Sequence, residues 1–143
     1  VKNGGRKPAS WYRQSGVLAI RRRNGAPQVL LVTSAGGKRW VIPKGIVEKG
    51  YSPANSAAKE AWEEAGVTGR VGRRMIARYA YEKWQGVCRV LVYRLDVDEV
   101  HREWPEAHVR RRAWLAPERA AARVGDAAVA EIIRAAFRRG ARR

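Results

Sequence analysis

The chain of 143 residues contains one cysteine, Cys88, so it can hold neither an internal disulfide nor a cysteine metal site. A lone cysteine in an apolar stretch reads as small core filling in a reducing compartment. No apolar run approaches the roughly 18 residues of a membrane span. The basic opening VKNGGRKPAS lacks the apolar segment of a secretory signal, so the expected setting is cytoplasmic, with no membrane partner. Histidine occurs twice, and His101 and His108 have no partner at ligand spacing, which leaves them as expected surface residues. Acid is also scarce: 13 Asp and Glu stand against 30 Lys and Arg, a net charge of +17. Self-repulsion of that size commonly accompanies an anionic partner. Nucleic acid, a polyphosphate metabolite and an acidic surface are candidates, beside a merely solvated basic coat.

A hydrophobic content of 45% in a chain of this length is enough for one core. Residues 1–14 read as a flexible basic arm, anchored by Trp11 and Tyr12, and residues 15–139 as a single domain. Strands are expected over 15–22 and 28–33, joined by the turn residues Asn24 and Gly25, and over 40–45, 71–81, 87–96 and 112–115. Residues 98–110 read as a polar connection. Helices are expected over 53–65, 117–124 and 126–139, the first with Ser52 as N-cap, Pro53 at its start and Gly66 as its stop.

The first helix holds the chemistry. Three of the 13 acids, Glu60, Glu63 and Glu64, fall within five residues of it. Carboxylates at this spacing are neighbours on a helix surface and repel one another. A hard divalent cation reverses the sign, because it takes oxygen ligands from carboxylates and substrate phosphates together. At 100° per residue, Ala54, Ala58, Ala61, Trp62 and Ala65 form a packing side, with the three glutamates on the opposite face.

Gly45, Glu60, Glu63, Glu64, Gly66 and Val67 stand at the spacing of the Nudix box without a gap, and the chain resembles that family over most of its length. Two positions depart from the box: Tyr51 where a Glu is usual and Lys59 where an Arg is usual. In the family those two brace the loop against the helix, so the brace is expected to be missing here. The resemblance implies an α/β/α sandwich over a mixed sheet. It implies Mg²⁺ or Mn²⁺ held by Glu60 and Glu64 with a backbone carbonyl of Lys44 or Gly45. Glu63 then shares the metal or acts as general base, the catalytic pair being Glu63 and Glu60. The implied reaction is hydrolysis of a pyrophosphate bond.

The segments Trp40-x-x-Pro-Lys-Gly, Trp104-Pro-Glu and Arg110-Arg-Arg-Ala-Trp114 are similar to the diphosphoinositol polyphosphate and diadenosine polyphosphate phosphohydrolase branch. That agrees with the charge, since such substrates carry many phosphates. Lys38, Arg39, Lys44, Arg22, Arg110 and Arg112 are the candidate phosphate-binding residues, with Arg21 and Arg23 beside them. Trp40 and Trp84 could stack on a base, and Glu82, Glu103 or Glu106 could add a loop carboxylate. The alternative reading is an RNA-binding module or RNA 5′-end pyrophosphohydrolase on the same fold, with steep salt dependence as its mark.

Overall fold

Every side chain of residues 17–20 and 29–32 is buried, at 3% exposure or less, which a strand achieves when both faces of its sheet are covered. A computed structural model describes residues 11–138 and shows the covering layers. In chain order the elements are β1 (Trp11–Arg23), β2 (Ala26–Thr33), β3 (Trp40–Val41), β4 (Lys44–Ile46), α1 (Pro53–Ala65), β5 (Val67–Lys83), β6 (Gly86–Val100), β7 (Arg112–Leu115), α2 (Pro117–Arg123) and α3 (Ala127–Ala136). The strands form one sheet in the order β3-β2-β1-β6-β5, with β4 added to β1 and β7 to β2. The β1–β6 pair is parallel and the other pairs antiparallel, so the sheet is mixed.

Alternation along the strands sorts the core into two layers. Leu18, Ile20, Val29 and Leu31 pack with Val129 and Ile133 of α3 on one face. Val17, Ala19, Leu30 and Val32 pack with Ala57, Ala61 and Ala65 of α1 on the other. Each fully buried Val, Leu or Ile contributes about 1.5–3 kcal/mol. The result is the expected α/β/α sandwich. Among the described residues no helix is long and apolar enough to cross a membrane. Cys88 is free and buried, as core filling should be.

Several expected boundaries move. β1 begins at Trp11, because Trp11 to Gln14 pair with Val87 to Val90 of β6, so the end of the expected arm is strand. The arm's residues 1–10 and the chain beyond Arg138 lie outside the described residues. The expected strand 40–45 divides at Pro43, whose carbonyl accepts from Val17 N at 3.1 Å. β5 and β6 reach Val67 and Val100, turning the start of the expected polar connection into a long hairpin.

This arrangement opens a fork. β1 pairs with β2 from Ile20 to Arg23 and with β4 from Gln14 to Gly16, so its partner changes along its length. The loop that leads from β4 to α1 starts at that fork. Two hairpin turns bound the strands. Asn24 and Gly25 join β1 to β2 with φ of 54° and 80°, and Trp84 and Gln85 join β5 to β6 with φ of 54° and 59°.

Candidate active site

Local sequence fixes α1 in place. Ser52 Oγ accepts from Asn55 N at 3.1 Å, and Gly66 closes the helix in the left-handed region at φ 69°. Arg112 completes that end: its guanidinium donates to the carbonyls of Ala65 (2.7 Å) and His101 (2.6 Å) and stacks 4.0 Å from the Trp104 ring centroid. Trp104 Nε1 donates to the Glu64 carbonyl at 3.0 Å. Carbonyls left unpaired at the helix end are thereby satisfied. Arg112, a predicted phosphate ligand, is occupied with this capping.

The buried positions of α1 are Ser56, Ala57, Ala61, Glu64 and Ala65, a stripe that differs from the expected one. Ala58 and Trp62 are half-buried, and Trp62 meets His101 edge-on at 5.0 Å. His101 is therefore no bare surface residue; its Nε2 also lies 3.1 Å from Thr68 Oγ1, whereas His108 is exposed. Glu64 falls on the inner side, seven residues and two turns after Ala57, and is 6% exposed.

The three glutamates consequently occupy different environments. Glu64 accepts from Lys44 N at 3.2 Å and lies 3.5 Å from Arg110 Nη2. Burial pushes its carboxyl up to about 8, with Arg110 opposing the shift. Glu60 shares a hydrogen bond with Glu64, and its carboxyl is raised by burial and by the charge of Glu63. Its carboxylate lies directly against the Gly45 backbone, where a Cβ would collide with it. Glu63 is paired with Lys59, whose ammonium also meets Glu48 Oε2 at 3.0 Å.

Lys59 thus ties the loop to the helix, and the brace expected to be missing is present through Glu48. Ser56 reinforces it, with Oγ accepting from Glu48 N at 3.2 Å. Tyr51 stays close, its ring centroid 6.0 Å from Lys59 Nζ. Glu48 escaped the sequence reading, although it is the sole acid between Gly45 and Lys59 and could have been found on that ground.

Glu48, Glu60 and Glu63 each offer an oxygen within 4.8 Å of the others. Lys59 Nζ between two of these carboxylates is a cation already standing in the cluster, and Gly45 leaves room for Glu60 beside it. An all-oxygen donor set of this kind fits a hard divalent ion.

Glu64 faces a cleft of about 430 Å³ whose walls include Lys44, Arg39, Arg110, Lys83 and Trp84. Burial lowers the Lys44 ammonium from its ordinary value, and Lys83, Arg39 and Arg110 push it the same way, so four cations share one space. Lys44 Nζ stands 5.1 Å from the Tyr81 ring centroid, and Tyr81 Oη donates to Gln14 at 2.9 Å. Arg110 is anchored by Glu106 (2.8 Å) and the Thr33 carbonyl (2.9 Å).

The other predicted residues fall elsewhere. Lys38 is exposed in the loop after β2, beside the wall that Arg39 joins. Arg22 bonds the Gly25 carbonyl at the far hairpin. Seven residues of strand put it roughly 23 Å from Ser15, the partner of Gly45, which is too far to share a site. Trp40 packs against the α3-side core with Arg111 and Arg123 near its ring. Of the loop carboxylates Glu82 lines the cleft, Glu106 serves Arg110, and Glu103 is exposed.

Comparisons with known proteins bear on the family and the fold. The family model of the NUDIX domain matches residues 12–136. Diphosphoinositol polyphosphate phosphohydrolase 2 of Rattus norvegicus is 36% identical over 94 residues, covering 64% of this chain and 51% of the relative. Nudix hydrolase 16, mitochondrial, of Arabidopsis thaliana is 35% identical over 101 residues, covering 65% and 56%. The chain spans about half the length of these relatives. The Ap4A hydrolase of C. elegans superposes with a TM-score of 0.67 at 21% identity, covering 87% of this chain and 95% of that one. At that identity the likeness speaks for the fold. The ungapped spacing of the box from β4 through α1 and a domain match that runs from β1 to the end of α3 give one answer: this chain belongs to the Nudix family.

Proposed function

We propose that the protein hydrolyses a pyrophosphate bond in a strongly anionic metabolite of the diadenosine polyphosphate or diphosphoinositol polyphosphate class, with Mg²⁺ or Mn²⁺ as cofactor. The observation that carries this reading is the cleft itself, where the Glu64 carboxylate of α1 stands opposite Lys44, Arg39, Arg110 and Lys83. The names of the relatives support the substrate class. A buried free cysteine suits a reducing, cytoplasmic setting.

Glu60, Glu63 and Glu64 would hold the cation, with Glu48 beside them and a backbone carbonyl of Lys44 or Gly45 completing the set. The cation supplies neutralisation of phosphoryl oxygens and a water of lowered pKa. Glu63, half-buried and held by Lys59, would act as general base, its carboxylate accepting the proton of the attacking water. Lys44, Arg39 and Arg110 orient the phosphate chain and stabilise charge on the leaving phosphate. Lys38, exposed and next to Arg39 in the loop after β2, would add to the phosphate field at the rim.

A Mg²⁺-dependent screen over diadenosine polyphosphates, diphosphoinositols, nucleoside triphosphates, ADP-ribose and 5′-triphosphate RNA tests the proposal. Glu63→Gln and Glu60→Gln are expected to lower kcat by about 10²–10⁴-fold on whichever compound is turned over. Unchanged turnover in both variants, or no turnover of any compound by the parent, refutes it.

A further inference from the structure

Among the described residues two buried side-chain polar atoms have no hydrogen-bond partner, Ser15 Oγ and Trp114 Nε1. Trp114 brings a large apolar ring to the α1-side core, which accounts for its place there. Ser15 brings one carbon and a hydroxyl, and its exposure is 0%. An alanine would fill the same space without leaving a donor unpaired, so packing alone does not account for the hydroxyl.

Its surroundings do. Val17, two residues along β1, packs with the alanines of α1, so Ser15 faces α1 as well. Ser15 is also the cross-strand partner of Gly45. Such partners carry their side chains on one face, with Cβ positions about 4.5–5.5 Å apart. At Gly45 that position is taken by the Glu60 carboxylate, which a Cβ would strike. The Ser15 hydroxyl and the Glu60 carboxylate therefore occupy neighbouring places under α1. Other polar groups near them are engaged. Ser56 Oγ accepts from Glu48 N and donates to the Ile46 carbonyl, while Glu64 receives Lys44 N and stands by Arg110. Among the described residues Glu60 has only the hydrogen bond it shares with Glu64.

We infer that Ser15 is a positioning residue of the metal site: its hydroxyl is a reserve donor for the Glu60 carboxylate, holding one oxygen of that group while the other meets a divalent cation. The inference rests on the cation site proposed above. Ligating carboxylates are commonly oriented by a hydrogen-bonding partner, and a donor on β1 at the strand fork would fix Glu60 against the sheet.

The test sets the stability of the metal-free protein against its affinity for Mn²⁺, because the two should move in opposite directions. In chelator, Ser15→Ala is expected to raise Tm by about 2–8 °C, since an unpaired buried hydroxyl is removed. By calorimetry the same variant is expected to bind Mn²⁺ roughly 10-fold more weakly. Ser15→Cys, of similar size but a weaker donor, should fall between parent and Ser15→Ala in Mn²⁺ affinity. In the Glu60→Gln background Ser15→Ala should change that affinity by less than about two-fold, because its effect passes through Glu60. A metal-free Tm that falls in Ser15→Ala overturns the inference, since the hydroxyl would then be serving the fold. Effects of Ser15→Ala and Glu60→Gln that simply add overturn it too. Parent-like Mn²⁺ affinity in Ser15→Ala removes the inference alone, whereas a parent that binds no Mn²⁺ removes the metal-site reading and the inference with it.

Discussion

Lys59 reaches two carboxylates on different elements, Glu48 in the loop after β4 and Glu63 on α1. Hydrogen bonds to both raise its pKa, so it stays charged throughout the working range. Glu48→Gln should therefore release the loop and cost roughly ten-fold or more in metal affinity and kcat/KM, as loss of a supporting partner commonly does. Adding Tyr51→Glu to that variant should restore much of both, because position 51 already lies beside the ammonium. Mn²⁺ titration and steady-state kinetics on the single and double variants check this; a double variant no better than Glu48→Gln would refute it. The box glutamates were legible in the sequence because their spacing is local to one helix. Glu48 was legible only as the sole acid between Gly45 and Lys59; that it reaches the ammonium depends on the path of a loop, which spacing does not encode.

Gly45 lets β4 and α1 approach until the Glu60 carboxylate rests on the strand backbone. Gly45→Ala should push Glu60 out of the cluster, with a cost to stability of about 1–3 kcal/mol for the overpacking. Thermal melts together with Mn²⁺ affinity check it: both should fall, and an unchanged metal affinity would show that Glu60 is free to move. At this scale the apolar strands β1 and β2 and the capped helix α1 were readable from residue type alone. The full lengths of β5 and β6 were not. β5 is an outer strand rich in arginine, exposed at Arg70, Arg73, Arg74 and Arg78, and its register shifts break the alternation that marks a strand. Charge on an outer strand also guards it against pairing with another chain.

Across the whole molecule the excess of base is distributed unevenly in purpose. The net charge of +17 pointed to an anionic partner, and four of the cations do meet in one cleft. Composition could not separate them from Arg22, spent at a distant turn, or Arg112, spent capping α1. The acids give the clearest dependence on pH. Glu64 sits at about 8 in the folded protein against 4.5 for an ordinary glutamate. A folded value above the unfolded one means that the native state holds the proton more tightly. The associated stability is full below about 4.5 and is lost as the pH rises towards 8. Glu60 shifts in the same direction and adds to the trend. Without divalent metal, the gain in stability from Glu64→Gln should be negligible near pH 4 and reach about 1–3 kcal/mol at pH 8. Mg²⁺ should raise the parent's Tm more at pH 8 than at pH 5. Calorimetric melts across that range check both, and a parent and variant with parallel profiles would refute the assignment.

The position of Lys59 has a last consequence. A tethered ammonium beside Glu48 and Glu63 means that the protein carries its own counter-ion, so the carboxylates are gathered before any metal arrives. Entry of the proposed metal would then meet carboxylates already neutralised by a cation, on a finished scaffold. In many small metalloproteins the ion is what folds the chain; here chelation should leave behind a folded protein with its loop still tied.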